Sequence, residues 1–464
     1  MDSSLARLLF ERALAAIYLA AFLVALNQFV PLLGSRGLES APAFARQVPF
    51  RAAPSLFYLS SSDAAFKAAA WLGVAVSIVA LAGAGWLRTW PASAAVWGTL
   101  WVLYLSFVNV GQTFYAFGWE SLLLEAGFLT IFLGGSGTAP NRLMFWLYRW
   151  LLFRVMFGAG LIKIRGDSCW RDLTCLDYYF ETQPMPNPLS WYFHWLPPAV
   201  HHAGVVVNHV AELVVPFFYF APQPVAAIAG AITIAFQLTL VVSGNLSWLN
   251  WLTIVIAIPT LDDRWLRWLP AAPAVQPDGG VHAAVVYGLT ALVGVLSVGP
   301  VLNMLSPGQV MNTSFEPLQL VNTYGAFGSI TRERNEIVIE GTADAPPTPA
   351  SVWKAYEFKG KPGDPMRLPP QVAPYHMRLD WLMWFAAFST PAEHPWFQTL
   401  LVRLLQGDPG TLGLLRTNPF PDGPPKTIRA RYYRYRFTTP EEHRRTGAWW
   451  HREPSGEYFP AVSR

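Results

Sequence analysis

Charged residues are scarce in this chain. They make up 13% of the 464 residues, whereas hydrophobic residues make up 53%. A soluble globular protein carries about 25% charged residues, so about half of the usual polar coat is missing. A surface that faces lipid does not need that coat. The composition therefore argues against an ordinary soluble protein and predicts an integral membrane protein.

A strong excess of one charge sign is also missing. The net charge of +4 is small for this length, and the basic residues are scattered. One run near the C-terminus, IRARYYRYRF (428–437), alternates arginine with aromatic residues. This period of two is typical of an amphipathic strand with one basic and one aromatic face. We therefore predict a strand of a folded domain and no nucleic-acid partner.

The motifs of the commonest enzymes are absent. The chain contains no G-x-S-x-G, no G-x-x-x-x-G-K-[ST], no G-x-G-x-x-G after a strand, no H-E-x-x-H and no C-x-x-C. Their absence argues against common hydrolases, nucleotide enzymes and thioredoxin-type redox proteins. Accordingly, the sequence predicts no catalytic residue, no metal site and no cofactor.

Cysteine is nearly absent, because the chain has only Cys169 and Cys175, just beyond an apolar run. Disulfides persist outside the cytoplasm, and closing so short a loop stabilises a fold by about 2–2.5 kcal/mol. A redox dithiol usually has two residues between its cysteines, whereas five lie between these. A structural disulfide is therefore favoured, with free thiols as the alternative.

Long apolar runs, by contrast, are abundant. A helix that crosses the membrane needs about 20 apolar residues. Nine runs approach this length, at 13–32, 66–86, 92–110, 119–134, 143–163, 199–220, 223–243, 246–261 and 281–302. The runs at 119–134 and 246–261 are short. The sequence thus predicts a polytopic α-helical membrane protein with about nine spans, within a range of about seven to nine.

The pattern changes after residue 305. Residues 306–464 contain strand-like runs at 336–340, 352–358 and 428–437, and an amphipathic helix whose aromatic face is Trp381, Trp384, Phe385 and Phe388,. We predict a multi-pass transmembrane domain over 1–305, with a charged loop at 164–198, and a soluble α+β domain over 306–464. Lysine and arginine counts do not set the orientation. With nine spans and a cytoplasmic N-terminus, the loop and the soluble domain lie on the same extracytoplasmic side.

Several spans contain ionisable residues, each of which costs about 2.5–3.5 kcal/mol at a helix centre on insertion scales. Folding 119–134 against 143–163 places Glu125 level with Arg149 and Arg154, and Glu120 opposite Arg154 or beyond. The candidate intramembrane polar cluster is Glu120, Glu125, Arg149, Arg154, Lys163, His209 and Glu212. His209 and Glu212 share one helical face and could act as acid and base or supply two metal ligands. One satisfied core hydrogen bond is favoured, with Gln237 in the next span as the candidate partner of His209. Structural ion pairs are favoured over a functional cavity.

Several motifs of the chain are distinctive. They include GQTFYAFGWESLLLEAGFL (111–129), GAGLIKIRGDSCWRDLTCLDYYFETQPMPNPLSWYFHWLP (158–197) and FEPLQLVNTYGAFGSITRERNEIVIEGT (315–342). Further motifs are YEFKGKPGDP (356–365), PYHMRLDWLMWFAAF (374–388), NPF (418–420) and YYRYRF (432–437). These motifs are long and unusual in composition, and by them the chain resembles the lipase maturation factor family from about residue 100 to the C-terminus.

The resemblance implies a multi-pass membrane protein that helps secreted lipases to fold and assemble into dimers. In animals such proteins lie in the endoplasmic reticulum, with a lumenal C-terminal domain linked to client binding. By match of motif, Cys169 and Cys175 are the family's loop cysteines. The candidate client-binding loop comprises Arg165, Asp167, Trp170, Arg171 and Asp172. The expected partners are a lipase-like secreted enzyme and membrane lipids, and the family offers no catalytic residue to carry over.

The location and the alternative function follow from the remaining features. The chain ends in YFPAVSR rather than a K-D-E-L type signal, and its abundance of alanine, proline and arginine is expected of a bacterial relative. We therefore expect the bacterial cell membrane, or the endoplasmic reticulum membrane in a eukaryote. The alternative function is an intramembrane enzyme or lipid-binding protein with a charged cavity, built from Glu120, Glu125, Arg149, Arg154, His209 and Glu212.

Overall fold

A computed structural model describes residues 3–83, 85–270 and 275–463. Eighteen α-helices are described: α1 (Ser4–Leu33), α2 (Ala41–Gln47), α3 (Asp63–Ala82), α4 (Trp90–Val110), α5 (Gly118–Ile131), α6 (Arg142–Arg165), α7 (Ser168–Arg171), α8 (Leu176–Thr182), α9 (Ser190–His194), α10 (Pro198–His209), α11 (Val225–Ser243), α12 (Leu249–Ala257), α13 (Gly280–Leu296), α14 (Val298–Leu305), α15 (Arg378–Ala386), α16 (Pro395–Leu405), α17 (Pro409–Leu414) and α18 (Pro440–Thr446). The first fourteen form a helical bundle with its connecting loops.

Polar residues at the ends of the apolar runs set the helix boundaries. The Ser62 hydroxyl accepts a hydrogen bond from the Ala65 amide and begins α3, which Gly83 ends in the left-handed region at φ 58°. The Asn141 side chain accepts from the Leu143 amide and begins α6. Such caps satisfy backbone groups that the first and last helical turns leave free.

Seven helical segments in the described part of the chain are long and apolar enough to cross a membrane. They are Ser4–Leu33, Asp63–Ala82, Trp90–Val110, Arg142–Arg165, Pro198–Phe220, Val225–Ser243 and Gly280–Leu305. They correspond to seven of the nine predicted spans and confirm an integral multi-pass membrane protein. Residue 84 of the predicted span 66–86 lies outside the described residues.

The two short predicted spans also run through the bundle. We call the end at which residues 166–197 lie the disulfide end. Just before α5, the Phe114 carbonyl accepts from Arg378 of the C-terminal region at 2.7 Å. Just after it, the Gly135 carbonyl accepts from Arg7, at the start of the chain, at 2.9 Å. Helix α5 has 14 residues, too few to cross the bilayer alone, and nearly all of them are buried.

The second short segment, Leu249–Thr260, makes the same passage. Before it, the Asn245 side chain donates to the Pro370 carbonyl at 2.8 Å, at the disulfide end. After it, Asp263 accepts from the Leu5 amide at 3.1 Å, at the opposite end. The described residues therefore make nine passes through the bundle, seven long and two short and buried. Because four passes separate the 164–198 loop from the C-terminal region, both lie at the same end.

The C-terminal region contains an antiparallel sheet of order β2-β1-β3-β4. Its strands are β1 (Arg334–Thr342), β2 (Lys354–Ala355), β3 (Thr427–Phe437) and β4 (Trp450–Ser463). Together with α15 to α18 they confirm the predicted α+β character. The predicted strand at 352–358 is wrong in length, since only Lys354 and Ala355 belong to β2 and Glu357 makes an isolated bridge with Thr417. Strand β4 was missed because Pro454 and Gly456 interrupt its apolar pattern.

The arginine and aromatic alternation of β3 changes phase at Tyr432 and Tyr433. The structure has a register shift relative to β4 at this pair. The extra residue at this shift, Ser455, lies in β4, whereas β3 pairs with β1 without interruption,. Tyr432 and Tyr433 therefore lie on opposite faces of the sheet, and each face of β3 carries both arginine and aromatic residues. The predicted division into one basic and one aromatic face is wrong. Arg429 pairs with Glu340 at 2.8 Å, and Arg436 with Glu442 at 2.7 Å. These arginines therefore have partners within the protein.

The predicted aromatic helix exists as α15, but its four aromatic residues have different surroundings. Trp381 is buried against Trp119 of α5, with ring centroids 4.9 Å apart. The Trp384 indole donates to the Thr182 carbonyl at 3.0 Å. Phe385 and Phe388 are exposed. One face of α15 thus joins the C-terminal region to the bundle and to the loop.

Candidate functional site

Asp167 organises the start of the disulfide loop. Its carboxylate accepts from the Cys169 amide at 3.0 Å, which begins α7. It also accepts from Arg332 at 2.7 Å and from the Ile330 amide at 3.2 Å. The hydrogen bond from the Arg332 guanidinium lowers the pKa of Asp167 from 3.8 to about 2,. Asp167 is thus a tie between the loop and the C-terminal region.

Cys169 and Cys175 are joined in a disulfide. Both are buried in a small apolar cluster with Trp170, Tyr179 and Phe180. The Trp170 indole donates to the Phe327 carbonyl at 2.9 Å. The disulfide and Trp170 therefore form the packed interior of the loop rather than its surface.

The other candidate loop residues are exposed. Arg165 donates to the Gln309 side chain at 2.9 Å. Arg171 donates to the carbonyls of Ile164 and Gly166, at 2.8 and 3.2 Å, where α6 ends. A cation is favourable at this negative end of a helix. Of the five candidates, Arg165, Arg171 and Asp172 are therefore the exposed ones.

Glu125 of α5 and Arg154 of α6 form a buried ion pair, as predicted from folding the two helices together. The Glu125 carboxylate also accepts from the Asn322 amide at 3.0 Å and from the Tyr324 hydroxyl at 2.7 Å. Arg154 donates to the Asn322 carbonyl at 2.7 Å. The segment that follows the last pass thus returns into the bundle and completes this network.

The expected placement of Glu120 opposite Arg154 is wrong. Glu120 pairs with Arg378 of α15 at 2.7 Å, and both side chains are fully buried. The Tyr104 hydroxyl also donates to Glu120, and the Arg378 guanidinium lies 3.4 Å from the centre of the Tyr115 ring. The helical offset on α5 turns Glu120 towards the C-terminal region, which a two-helix construction cannot include.

Arg149 was expected to face Glu125, and that expectation is wrong too. Its guanidinium donates to the carbonyls of Pro259 and Tyr219, at 3.1 and 3.2 Å. Both carbonyls belong to short 3₁₀ turns, Ile258–Thr260 and Val215–Phe220, which end two of the passes. Arg149 therefore satisfies free backbone groups at the end opposite the disulfide.

His209 and Glu212 do not act as a pair. Glu212 lies 2.5 Å from Lys163 and accepts from Asn208 at 3.0 Å, whereas His209 lies 2.9 Å from the Trp170 carbonyl. A π-helical turn at Val210–Val214 follows α10. A π turn adds one residue to the helical ring, so the predicted spacing of three does not place the two residues together.

Gln237 was the candidate partner of His209, and this prediction is wrong. Gln237 instead accepts from Asn250 of α12 at 2.7 Å. The seven residues of the predicted polar cluster thus divide among separate contacts, and the structure does not bring them into one charged cavity. Within the described ranges, no group of three or more His, Cys, Asp or Glu side chains is placed to hold a metal ion.

Sequence reasoning missed a second tie between the loop and the sheet. Arg334 of β1 is buried and donates to the carbonyls of Glu181 and Pro184, at 2.9 and 3.1 Å. It pairs with Glu336, which also lies 2.7 Å from Lys361. Two of the motifs quoted above, residues 315–342 and 374–388, contain Asn322, Tyr324, Arg334 and Arg378. The polar and charged residues of these motifs could have indicated such contacts from the sequence.

Comparison with known proteins agrees with this architecture. Residues 5–268 match the lipase maturation factor transmembrane domain, and residues 320–460 match the lipase maturation factor C-terminal domain. Lipase maturation factor 1 of Bos taurus is 46% identical, over 99% of this chain and 89% of the relative. The Homo sapiens protein of that name is 44% identical, over 99% of this chain and 88% of the relative.

More divergent relatives carry a second name. Lipase maturation factor 2 of Homo sapiens is 29% identical, over 99% of this chain and 83% of the relative. None of the solved structures matches this chain. Since the transmembrane match alone covers more than half of the chain, and the relatives align with nearly all of it, the chain belongs to the lipase maturation factor family.

Proposed function

We propose that this protein is a membrane-embedded maturation factor that promotes the folding or dimerisation of secreted lipases. The observation that carries the proposal is the family likeness. It includes both the transmembrane and the C-terminal domain, and it extends over nearly the full length of the relatives named lipase maturation factor 1. Because the likeness includes the whole chain, it supports a shared function better than a likeness to a single domain would.

The disulfide end is proposed to face an oxidising compartment. The Cys169–Cys175 disulfide supports this orientation, since disulfides persist in the periplasm, the endoplasmic reticulum lumen and outside the cell. The proposed location is the endoplasmic reticulum membrane in a eukaryotic cell, as the animal relatives suggest, or the cell membrane in a bacterium. The domain division at about residue 305 is part of this proposal, with residues 306–464 on the extracytoplasmic side.

The client surface is proposed to include the exposed residues of the disulfide loop, Arg165, Arg171 and Asp172. Rigid scaffolds commonly present binding residues on loops. This loop is held by the disulfide, by Asp167 on Arg332 and by Arg334 on two loop carbonyls. A loop that is closed by a disulfide and anchored to the C-terminal region at two places loses little conformational freedom when it binds a partner.

The intramembrane-enzyme reading has less support. Its charged residues lie in separate ion pairs and carbonyl contacts, and buried pairs of this kind are a common structural device. The bundle contains a cavity, and of the six residues proposed for the enzyme site only Glu212 lines it. A group of side chains poised for acid–base chemistry at one place is therefore not supported.

A complementation experiment tests the maturation function. Cells that lack their own lipase maturation factor 1 and produce a secreted lipase receive this chain, and lipase activity in the medium is measured against total lipase protein. We expect the chain to raise the fraction of secreted lipase that is active. Correctly inserted chain that leaves this fraction unchanged would contradict the proposed function.

Matched charge reversals test the client surface in the same assay. Asp172→Lys changes an exposed loop residue, and Arg267→Glu changes an exposed residue at the opposite end of the bundle. We expect Asp172→Lys to lower active lipase and Arg267→Glu to leave it unchanged, at equal amounts of membrane protein. Equal effects of the two variants would place the client surface elsewhere.

A further inference from the structure

The bundle contains a cavity of about 460 Å³ to which the proposed maturation function assigns no role. Its size lies within the range of about 300–1,000 Å³ typical of small-molecule sites. The wall is formed by α6, the pass after the disulfide loop, α11, α12, and the aromatic residues of α15. The cavity therefore lies among the membrane passes and beneath the C-terminal region.

The cavity extends along helix α6. Its wall on α6 extends from Val155 to Lys163, which corresponds to about 12 Å at 1.5 Å per residue. That distance is about two-fifths of the 30 Å hydrocarbon core. At the disulfide end the lining residues Met311, Asn312 and Phe385 are exposed, so this end is the mouth. The shape of the cavity therefore suits a long ligand whose one end lies at this mouth.

Most of the wall is apolar, and its charges are compensated. Lys163 lies 2.5 Å from Glu212 and donates to Asn208 at 3.1 Å. Deeper in the cavity, Asn250 donates to Gln237 at 2.7 Å. Because these polar groups bind one another, the wall presents an apolar surface without a net charge to attract an ionic ligand.

Neither a vacant space nor bulk water suits this cavity. Apolar walls without partner atoms lose dispersion contacts, and a stable buried water needs about two to four free polar partners. The surrounding bilayer supplies acyl chains at high local concentration. We propose that the cavity binds one acyl chain of a membrane glycerolipid, whose ester and headgroup lie at the mouth beside Asn312.

A photocrosslinking experiment tests this site in the full chain. The protein is reconstituted in nanodiscs of phosphatidylcholine with a small fraction that carries a diazirine on one acyl chain, irradiated, digested and analysed by mass spectrometry. We expect labelled residues on the inner wall, between Val155 and Ile162 and between Leu240 and Thr253. Label confined to the outer faces of the bundle would overturn the proposal.

A cavity-filling variant and a matched control sharpen the test. Ala159 lines the cavity, whereas Ala235 is exposed on α11 and is not part of the wall. We expect Ala159→Trp to lose the inner-wall label and Ala235→Trp to retain it. If Ala159→Trp does not fold, Leu240→Trp on the facing wall takes its place. Inner-wall label that persists in the folded filling variant would overturn the proposal.

One further arm separates a lipid from a client segment. Excess purified lipase is added before irradiation, and inner-wall label is compared with label near Ala235. Unchanged inner-wall label supports a resident lipid chain. Selective loss of that label would mean that the client occupies the cavity, and would overturn the lipid proposal while leaving the maturation function intact.

Discussion

Two glutamates on the same short helix have partners from very different parts of the chain. Glu125 pairs with Arg154, 29 residues away on the adjacent helix, whereas Glu120 pairs with Arg378, 258 residues away in the C-terminal region. Both pairs are fully buried. One pair therefore fastens two membrane passes together, and the other fastens the bundle to α15.

The surroundings of the two pairs differ as well. Besides Arg154, Glu125 accepts from the amide and side chain of Asn322 and from the Tyr324 hydroxyl. Besides Arg378, Glu120 accepts from the Tyr104 hydroxyl. A buried charge that loses its partner is costly in proportion to what remains unsatisfied. Loss of Arg378 is therefore expected to destabilise the protein more than loss of Arg154, although only the Arg154 pair could be predicted from the sequence.

The largest effect is expected for Arg378→Met. Removing one partner of a buried ion pair typically costs about 3–5 kcal/mol, and the loss here also detaches α15 from the bundle. We expect the free energy of unfolding, measured by denaturant titration in mixed micelles, to decrease by about 3–5 kcal/mol. We also expect faster limited proteolysis between the bundle and the C-terminal region.

Arg154→Met is the matched comparison for that variant. Since Glu125 keeps three other donors, we expect a decrease in unfolding free energy near the lower end of about 3–5 kcal/mol. The double variant Glu120→Gln, Arg378→Met should recover part of the loss, because no charge remains unpaired. A larger loss in Arg154→Met than in Arg378→Met would contradict the comparison.

The same pair of residues explains what the sequence could and could not predict. Helix periodicity and a short turn bring Glu125 to Arg154, so hydropathy and local folding suffice for that contact. The partner of Glu120 depends on how a distant helix docks, and a single sequence contains no distance information of that kind. The seven long passes were predictable because their apolar runs are long, whereas the short runs at 119–134 and 246–261 left the number of passes between about seven and nine.

Local backbone irregularity accounts for another prediction that was wrong. The π turn after α10 separates His209 from Glu212, and apolar periodicity alone does not reveal such a turn.

Two further predictions were wrong or incomplete for other reasons. Arg149 was assigned a carboxylate because charge pairing is the simplest expectation, yet helix-terminal carbonyls accept its hydrogen bonds. The exposed part of the candidate loop was not separable from its buried part, because Trp170 and Arg171 are adjacent in sequence and have opposite surroundings.

A smaller effect is expected for removal of the disulfide, which ties the loop only to itself. The double variant Cys169→Ser, Cys175→Ser should lower the unfolding free energy by about 2–2.5 kcal/mol on the chain-entropy estimate. The bundle should remain folded, because both ion pairs of α5 are independent of the loop. Complete unfolding of the membrane passes in this variant, seen by circular dichroism, would contradict that expectation.

The smallest effect is expected for the tie between Asp167 and Arg332, since Arg332 is partly exposed and such pairs contribute at most about 1 kcal/mol. The pKa of Asp167 in the fold is about 2, below its ordinary value of 3.8. The carboxylate therefore stabilises the fold above about pH 4, and this contribution is lost as the pH falls towards 2. We expect the thermal midpoint to fall less between about pH 4.5 and 2.5 in Asp167→Asn than in the natural chain. Asp172→Asn, an exposed carboxylate of the same loop, should follow the natural chain, and identical behaviour of all three proteins would refute a role for this tie.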